Sequence, residues 1–252
     1  MLLLNFAAFA AAYGFIAVIL DNLILEKFIK RKRQKAAKIQ ELFDCDVLML
    51  EILPFKNIND VTVEEILSHY NAHSKIATNV EKIKDWYPKN IQNLPLYIAR
   101  LICQRENCWW DGNLRKRYIN RLLFLLSSLI IVLIFFGLIN NLKLIDFILL
   151  GSAFQPFIQF SIKQMNEHGD VIDRLDELRK NAEDIWNDAI NRIELEDSIT
   201  KKSRLLQNEI FEHRSKSPMI LDFFYKMLRD KNEELINKST KQLLEDAKEK
   251  GF

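Results

Sequence analysis

The sequence predicts an all-α membrane protein, and three observations lead to that class. Two apolar runs, 122–139 and 144–162, are separated by only four residues. Each run reaches the roughly 17–25 residues that a helix needs to cross a bilayer, and so short a break permits only an antiparallel hairpin. Glycine and proline are scarce, at 6 and 5 of 252 residues, and no period-two alternation is sustained, so helices are predicted throughout. The competing interpretation, a buried hairpin of a soluble protein, is weaker because both runs have full spanning length.

The amino-terminal stretch 1–29 is predicted to be a further transmembrane helix. A secretory signal carries basic residues before its apolar core, whereas the first basic residue here is Lys27, which favours a retained helix over a signal peptide. Basic clusters follow at 30–35 and 115–121, and such clusters mark the cytoplasmic side. This predicts a cytoplasmic insert 30–118, an outward-and-back hairpin 119–163, and a cytoplasmic region 164–252. Because almost nothing precedes the first span on the outside, either three spans suffice or a fourth helix is missing upstream.

The two cytoplasmic segments are predicted to form one helical domain. In the insert, a first helix is expected at 36–53. A second begins at the N-cap Thr62, with Glu65 at the capping-box position. A third runs from about Leu96 into the second span, with a kink near Gly112. After the hairpin, helices are expected at about 171–193, 198–213 and 219–248. The first of these carries an apolar stripe that packs either inside the chain or against a partner protein.

The sequence contains no recognisable catalytic or metal-binding arrangement. The three cysteines fit neither a disulfide framework nor a zinc site. His69 and His73 have helical i, i+4 spacing but lack a third ligand and a base, so a surface position is the better interpretation. A net charge of +2 gives no footprint for a DNA or RNA polymer. We therefore predict a protein that is not an enzyme and has no cofactor.

Two polar groups of residues are candidate functional sites. Planar aromatic rings and guanidinium forks close to the spans are suited to stacking on bases and pairing with phosphate. The ligand-binding candidates are Arg105, Trp109, Trp110, Arg115, Arg204, Gln207 and Arg214. On residues alone, interfacial anchoring explains the aromatic and basic residues beside the span somewhat better.

Within the third span, the polar residues Ser152, Gln155 and Gln159 share one face of a continuous helix. They are predicted either to line a pore or to hydrogen-bond to another helix. Pro156 marks the level at which this helix can bend.

Three motifs resemble a known family, the SMODS-associating four-helix transmembrane effectors of bacterial CBASS-type anti-phage systems. The first motif, at 36–48, is AAKIQELFD followed by Val47-Leu48. The second, at 103–118, is CQREN followed by Trp110-Asp111 and LRxxY. The third, at 204–233, is RLLQNEIF followed by Arg214, Pro218, Phe224-Tyr225, Arg229 and Glu233. Family members carry an upstream helical hairpin, of which this chain has only what looks like the second helix, and a tryptophan often found after the first motif is replaced by Phe55.

The resemblance implies a function that the residues alone do not. It implies a bacterial inner-membrane effector that binds a cyclic oligonucleotide made by a partner nucleotidyltransferase. The bound effector would form a homo-oligomer and permeabilise the membrane, causing abortive infection. The alternative is a membrane scaffold or sensor that binds a protein partner through its cytoplasmic helices.

Overall fold

The structure is a computed structural model that describes residues 26–53, 60–75, 86–228 and 230–252, together with 9, 12–16, 19–20, 23 and 80. Among these residues there is no strand, in agreement with the all-α prediction. The bounded α-helices are α1 (Glu26–Val47), α2 (Val63–Ser74), α3 (Leu96–Ile139), α4 (Leu144–Ser152), α5 (Gln155–Ile190), α6 (Glu196–Lys216), α7 (Asp222–Leu228) and α8 (Asp230–Glu249), with a 3₁₀ helix at Lys89–Asn93.

Helix α3 is the axis of the molecule. At 1.5 Å per residue its 44 residues extend about 66 Å, roughly twice the thickness of a bilayer core. Its first half is enclosed by other helices, with Ile98, Leu101 and Tyr118 fully buried, whereas its second half exposes apolar side chains such as Phe124 and Phe135. The helix continues through Gly112 without a break. One helix therefore belongs to both the packed domain and the predicted span.

The second half of the hairpin is broken rather than continuous, which corrects the prediction of one straight helix over 144–162. Helices α4 and α5 are separated at Ala153 and Phe154 and bent by 59°. Pro156 lies in the first turn of α5, where its missing N–H is tolerated. A Cβ added at Gly14 would lie 4.0 Å from Pro156 Cγ, so residue 14 lies beside this bend.

The described residues thus contain one helix long and apolar enough to cross a bilayer, α3, and a second span if α4 and α5 count as one. Three spans were predicted. Most of the first, 1–29, lies outside the described residues.

The hairpin turn shows how the sequence ends a helix. Asn141 adopts a left-handed backbone conformation with φ 47°, which asparagine tolerates better than most residues. The Leu142 N–H donates to the Gly137 carbonyl at 3.0 Å and the Asn141 N–H to the Leu138 carbonyl at 3.2 Å, the two bonds of a Schellman motif. Phe147 of α4 then packs over Gly137 so closely that a Cβ there would lie 2.8 Å from its ring.

The apolar stripe of α5 faces the interior of the chain. Leu175, Leu178 and Ala182 are buried together with Cys108 of α3 and Leu206 and Ile210 of α6. Only Ile193, beyond the end of α5, is largely exposed. Of the two predicted roles for the stripe, intramolecular packing is therefore the observed one.

Within the predicted helix over 219–248, the described residues form α7 (Asp222–Leu228) and α8 (Asp230–Glu249), and residue 229 lies outside the described residues. The helix expected at 36–53 is instead α1, Glu26–Val47, which begins ten residues earlier and ends six residues earlier. Two other helix starts agree with prediction. Thr62 accepts the N–H of Glu65 at 3.3 Å as an N-cap, and α3 begins directly after Pro95.

Candidate functional site

The three motif stretches, far apart in sequence, meet in one buried polar network between α1, α3 and α6. Asp44 is its centre and accepts three hydrogen bonds, from Arg214 Nη1 at 2.6 Å, from Gln207 Nε2 at 3.0 Å and from the Tyr87 hydroxyl at 2.8 Å. Asn107 Nδ2 donates to the same Tyr87 oxygen at 2.7 Å. A buried carboxylate is stable only when it is paired and hydrogen-bonded in this way.

Glu41, one turn before Asp44, occupies an equivalent position. It is fully buried and accepts from Arg204 Nη2 at 2.8 Å and from Gln207 Nε2 at 2.9 Å. The Gln207 carbonyl oxygen accepts in turn from Gln104 Nε2 at 3.1 Å, and Gln104 also accepts from Ser203 Oγ at 2.9 Å. The network therefore joins α1 to α6 across α3.

Electrostatics favour the charged form of Arg214 and the protonated form of the nearby thiols. Burial disfavours the charge on Arg214, but the Asp44 carboxylate outweighs this effect, and the pKa of Arg214 is raised above its ordinary value. Burial also raises the pKa of the Cys108 thiol to about 12 and that of Cys103 well above its ordinary range. Because the thiolate is the reactive form of cysteine, both remain protonated structural residues at neutral pH.

The remaining two predicted arginines, which lie on α3, also pair with side chains of the protein. Arg105 Nε pairs with Glu183 at 2.8 Å, and its Nη1 donates to Ser239 Oγ at 3.2 Å. Arg115 Nε pairs with Asp111 at 2.9 Å, and its Nη1 lies 2.8 Å from both His168 Nδ1 and the Pro218 carbonyl. Burial and the Arg115 charge together lower the pKa of His168 to about 3, so the imidazole is neutral and its Nδ1 can accept from Arg115.

A cavity of about 270 Å³ lies next to the network, between α1, α3, α7 and the segment before α7. Three aromatic rings meet there edge to face. The Trp110 ring centroid is 5.7 Å from that of Trp86 and 5.8 Å from that of Tyr225. Three guanidinium groups, from Arg33, Arg115 and Arg214, line the same cavity. Stacking faces and cations side by side are what recognition of an unpaired nucleotide requires.

The cavity brings together only part of the predicted ligand-binding set. Trp110, Arg115 and Arg214 line it. Arg204 and Gln207 belong to the buried network, Arg105 lies at the contacts with α5 and α8, and Trp109 is half-buried on α3.

Sequence reasoning missed three lining residues. In the sequence, Arg33 belongs to the basic cluster at 30–35, which indicates only membrane topology. Trp86 is isolated before Pro88, and Tyr225 belongs to the third family motif without an assigned role. Membership of the third motif was the signal available for Tyr225.

A second cavity, of about 570 Å³, is mainly apolar and lies between the end of α1, the 3₁₀ helix and the start of α3. Among the described residues that line it, Arg100 is the one cation, and that guanidinium donates to the carbonyls of Leu48 and Met49. It thereby caps the end of α1, where Met49 is held at φ 49°. This cavity therefore offers apolar surface but no uncommitted cation for a phosphate.

The predicted pore residues are all exposed, but they do not lie on one continuous helix. Ser152 ends α4, and its hydroxyl donates to the Leu149 carbonyl at 2.7 Å, whereas Gln155 and Gln159 lie one turn apart on α5, after the 59° bend. Among the described residues, no three His, Cys, Asp or Glu side chains are placed to hold a metal ion. His69 and His73 are exposed on α2.

A long apolar helix that continues into a buried polar helical bundle is the arrangement of a helical membrane protein. Residues 1–243 match the family described as the SMODS-associating 4TM effector domain, and the chain belongs to that family. It is accordingly a membrane effector associated with CBASS systems. No curated protein and no solved structure matches the chain.

Proposed function

We propose that this protein is a non-enzymatic inner-membrane effector that a cyclic oligonucleotide switches from a silent to a membrane-permeabilising state. A partner nucleotidyltransferase makes the ligand after infection. The segments 30–118 and 164–252 bind it in the cytoplasm, and the spans, with the hairpin 119–163 among them, assemble into a homo-oligomer that breaches the bilayer. Loss of the membrane barrier then causes abortive infection.

The observation that carries this proposal is the continuity of α3. The same helix presents Trp110 and Arg115 to the cavity and, from Leu123 onward, exposed apolar side chains suited to lipid. Any ligand that alters the packing around Trp110 therefore acts on a helix that extends into the membrane.

The free energy that ligand contacts at such a site contribute is comparable to the free energy needed to switch between the two states. Moving an equilibrium from 1:99 to 99:1 requires a preference of about 5.5 kcal/mol for one state. Stacking a base on an aromatic ring contributes about 1–3 kcal/mol, and a charge-assisted hydrogen bond about 1.5–3 kcal/mol. Two bases and one phosphate contact formed only in the assembled state contribute together about 3.5–9 kcal/mol, a range that includes this requirement. A ligand without such a preference shifts nothing.

The decisive experiment is dye leakage from liposomes that contain the full chain. Leakage is expected on adding one member of a panel of cyclic di- and trinucleotides, and Trp110→Ala is expected to abolish it. Trp109→Ala is the matched control, because this neighbouring tryptophan does not line the cavity. Absence of leakage with the whole panel, from correctly inserted protein, would contradict the proposal.

The alternative function is a membrane scaffold or sensor that binds a protein partner. It predicts no leakage with any nucleotide. Its best candidate surface, the stripe of α5, is already covered by α3 and α6, which leaves the permeabilising effector as the better supported function.

The proposed orientation has its own test. The native cysteines Cys45, Cys103 and Cys108 are buried, so a membrane-impermeant thiol reagent has little background. Applied from outside the cell, it is expected to label a cysteine introduced at Asn141 and to miss one at Lys32. The opposite pattern would overturn the topology.

A further inference from the structure

The guanidinium groups of the cavity differ in their partners. Arg115 pairs with Asp111 and Arg214 with Asp44, each within 3 Å. Arg33 has no such partner among the residues that the structure describes. Its Nε is buried and makes no hydrogen bond to any of the residues that the structure describes. Burying a guanidinium nitrogen without an acceptor is costly, so this position is suited to an acceptor that the described part of the chain does not supply.

Arg33 also differs from the basic residues around it. Lys30, Arg31 and Lys32 on the same helix are exposed to solvent, whereas Arg33 is half-buried and lines the cavity with Trp86 and Trp110. An exposed basic run suffices to meet lipid headgroups at the membrane surface. A half-buried arginine beside aromatic rings is instead placed to meet an anion attached to a flat group.

We infer that Arg33 is the phosphate-binding residue of this cavity, and that it pairs with a phosphodiester of a nucleotide whose base contacts the rings of Trp86, Trp110 and Tyr225. This assignment rests on the proposed function, because it names the contacts of the activating ligand. Arg115 and Arg214 are positioning residues, since their carboxylate partners already neutralise them. At about 270 Å³ the cavity lies just below the usual range of ligand pockets, roughly 300–1,000 Å³. It therefore takes one part of a cyclic oligonucleotide.

The position of Arg33 gives binding a structural effect. It lies on α1, about one turn after the apolar amino-terminal stretch 1–29, whereas the rings belong to α3, to α7 and to the segment before the 3₁₀ helix. A phosphate held by Arg33 while its base rests on Trp110 draws α1 towards α3. Occupancy is thereby linked to the helix that continues from the predicted first span.

The test compares nucleotide binding by two arginine variants of one helix. Full-length protein in detergent is titrated with the cyclic dinucleotides of adenosine and guanosine and with cyclic triadenylate, and binding is followed by quenching of tryptophan fluorescence. Arg33→Ala is expected to weaken binding roughly 10- to 150-fold, the change expected for one lost charge-assisted hydrogen bond. Arg31→Ala removes the same charge from the exposed face and is expected to leave affinity unchanged. Arg33→Lys keeps the charge without the fork and is expected to be intermediate.

The outcomes separate this inference from the proposed function. Wild-type affinity in Arg33→Ala, or an equal loss in Arg31→Ala, overturns the assignment of Arg33 while the function stands. If none of the nucleotides binds wild-type protein, the proposed function fails and the nucleotide assignment with it.

A second experiment measures binding to vesicles with and without phosphatidylglycerol. If Arg33→Ala loses only the preference for anionic vesicles, Arg33 binds a lipid headgroup and the nucleotide assignment is wrong. If Arg33→Ala loses helicity, the nucleotide affinities of Arg33→Lys and Arg33→Gln are compared with that of wild-type protein by the same criteria.

Discussion

Replacing Asp44 by alanine is expected to lower the free energy of unfolding by about 3–5 kcal/mol, the usual effect of leaving one charge of a buried pair without its partner. The Asp44 side chain is 4% exposed and that of Arg214 is 19% exposed, and their charged atoms are 2.6 Å apart. The substitution also removes the acceptor of Tyr87 and one acceptor of Gln207. Against a total stability of about 5–15 kcal/mol, this loss is large.

The measurement is urea unfolding in mild detergent, followed by tryptophan fluorescence and circular dichroism. The double variant Asp44→Ala/Arg214→Met is expected to be more stable than Asp44→Ala alone, because it removes the stranded charge. Asp176→Ala breaks the exposed pair with Lys116, whose side chains are 44% and 48% exposed, and is expected to change stability by less than about 1 kcal/mol. The reasoning is refuted if Asp44→Ala resembles Asp176→Ala, or if the second substitution gives no recovery.

Three further substitutions test other parts of the molecule. Gly137→Ala is expected to destabilise the hairpin by about 1–3 kcal/mol in detergent unfolding, since its Cβ would lie 2.8 Å from the Phe147 ring. Burial raises the pKa of Glu106 to about 7, above the roughly 4.3 of an unfolded glutamate. The folded state then binds more protons between these values, so stability falls by up to about 3 kcal/mol as pH rises from 4 to 8, and Glu106→Gln is expected to flatten that dependence. Replacing Gln155 and Gln159 together by leucine is expected to reduce liposome leakage while ligand binding and oligomer size persist, because a pore lined by those amides loses hydration.

Each of these predictions has a control. Gly151→Ala is the partner of Gly137→Ala, because an added Cβ there meets no described atom within 4 Å, and equal stability of the two would contradict the close helix contact. An unchanged pH profile in Glu106→Gln would assign the pH dependence to other groups. Normal leakage from the double glutamine variant would exclude those residues from the conducting path. Loss of assembly together with leakage would point to helix packing instead.

Local signals in the sequence predicted local structure well. Pro95 before an apolar helix, Thr62 before Glu65, and the apolar steps along α5 each depend on neighbours within a few residues, and the structure agrees with all three. The second half of the capping box failed for a long-range reason. Glu65 forms an ion pair with Lys35 of α1, thirty residues earlier, and no local pattern indicates that contact.

The candidate site could be predicted only in part for the same reason. Composition and spacing predicted Arg204 and Gln207 as ligand contacts. Both side chains instead donate hydrogen bonds to Glu41, some 160 residues away. The family motifs mark residues that lie together without showing whether they bind a ligand or each other. Arg33 carried no distinguishing signal, because its separation from the neighbouring basic residues depends on which face of α1 is covered.

The unbroken course of α3 has a mechanical consequence. From Trp110 to Ile139 it extends about 44 Å, and no break in this stretch absorbs a change of direction. A tilt of about 5° at the level of Trp110 displaces the far end by about 4 Å, since a rigid helix at 1.5 Å per residue acts as a lever arm. The Phe147 ring packs so closely on Gly137 that even an added Cβ would lie 2.8 Å from it, which leaves no room for a shift of that size towards the ring. A small adjustment around the cavity therefore forces α4 to move or repack at the opposite end of the molecule.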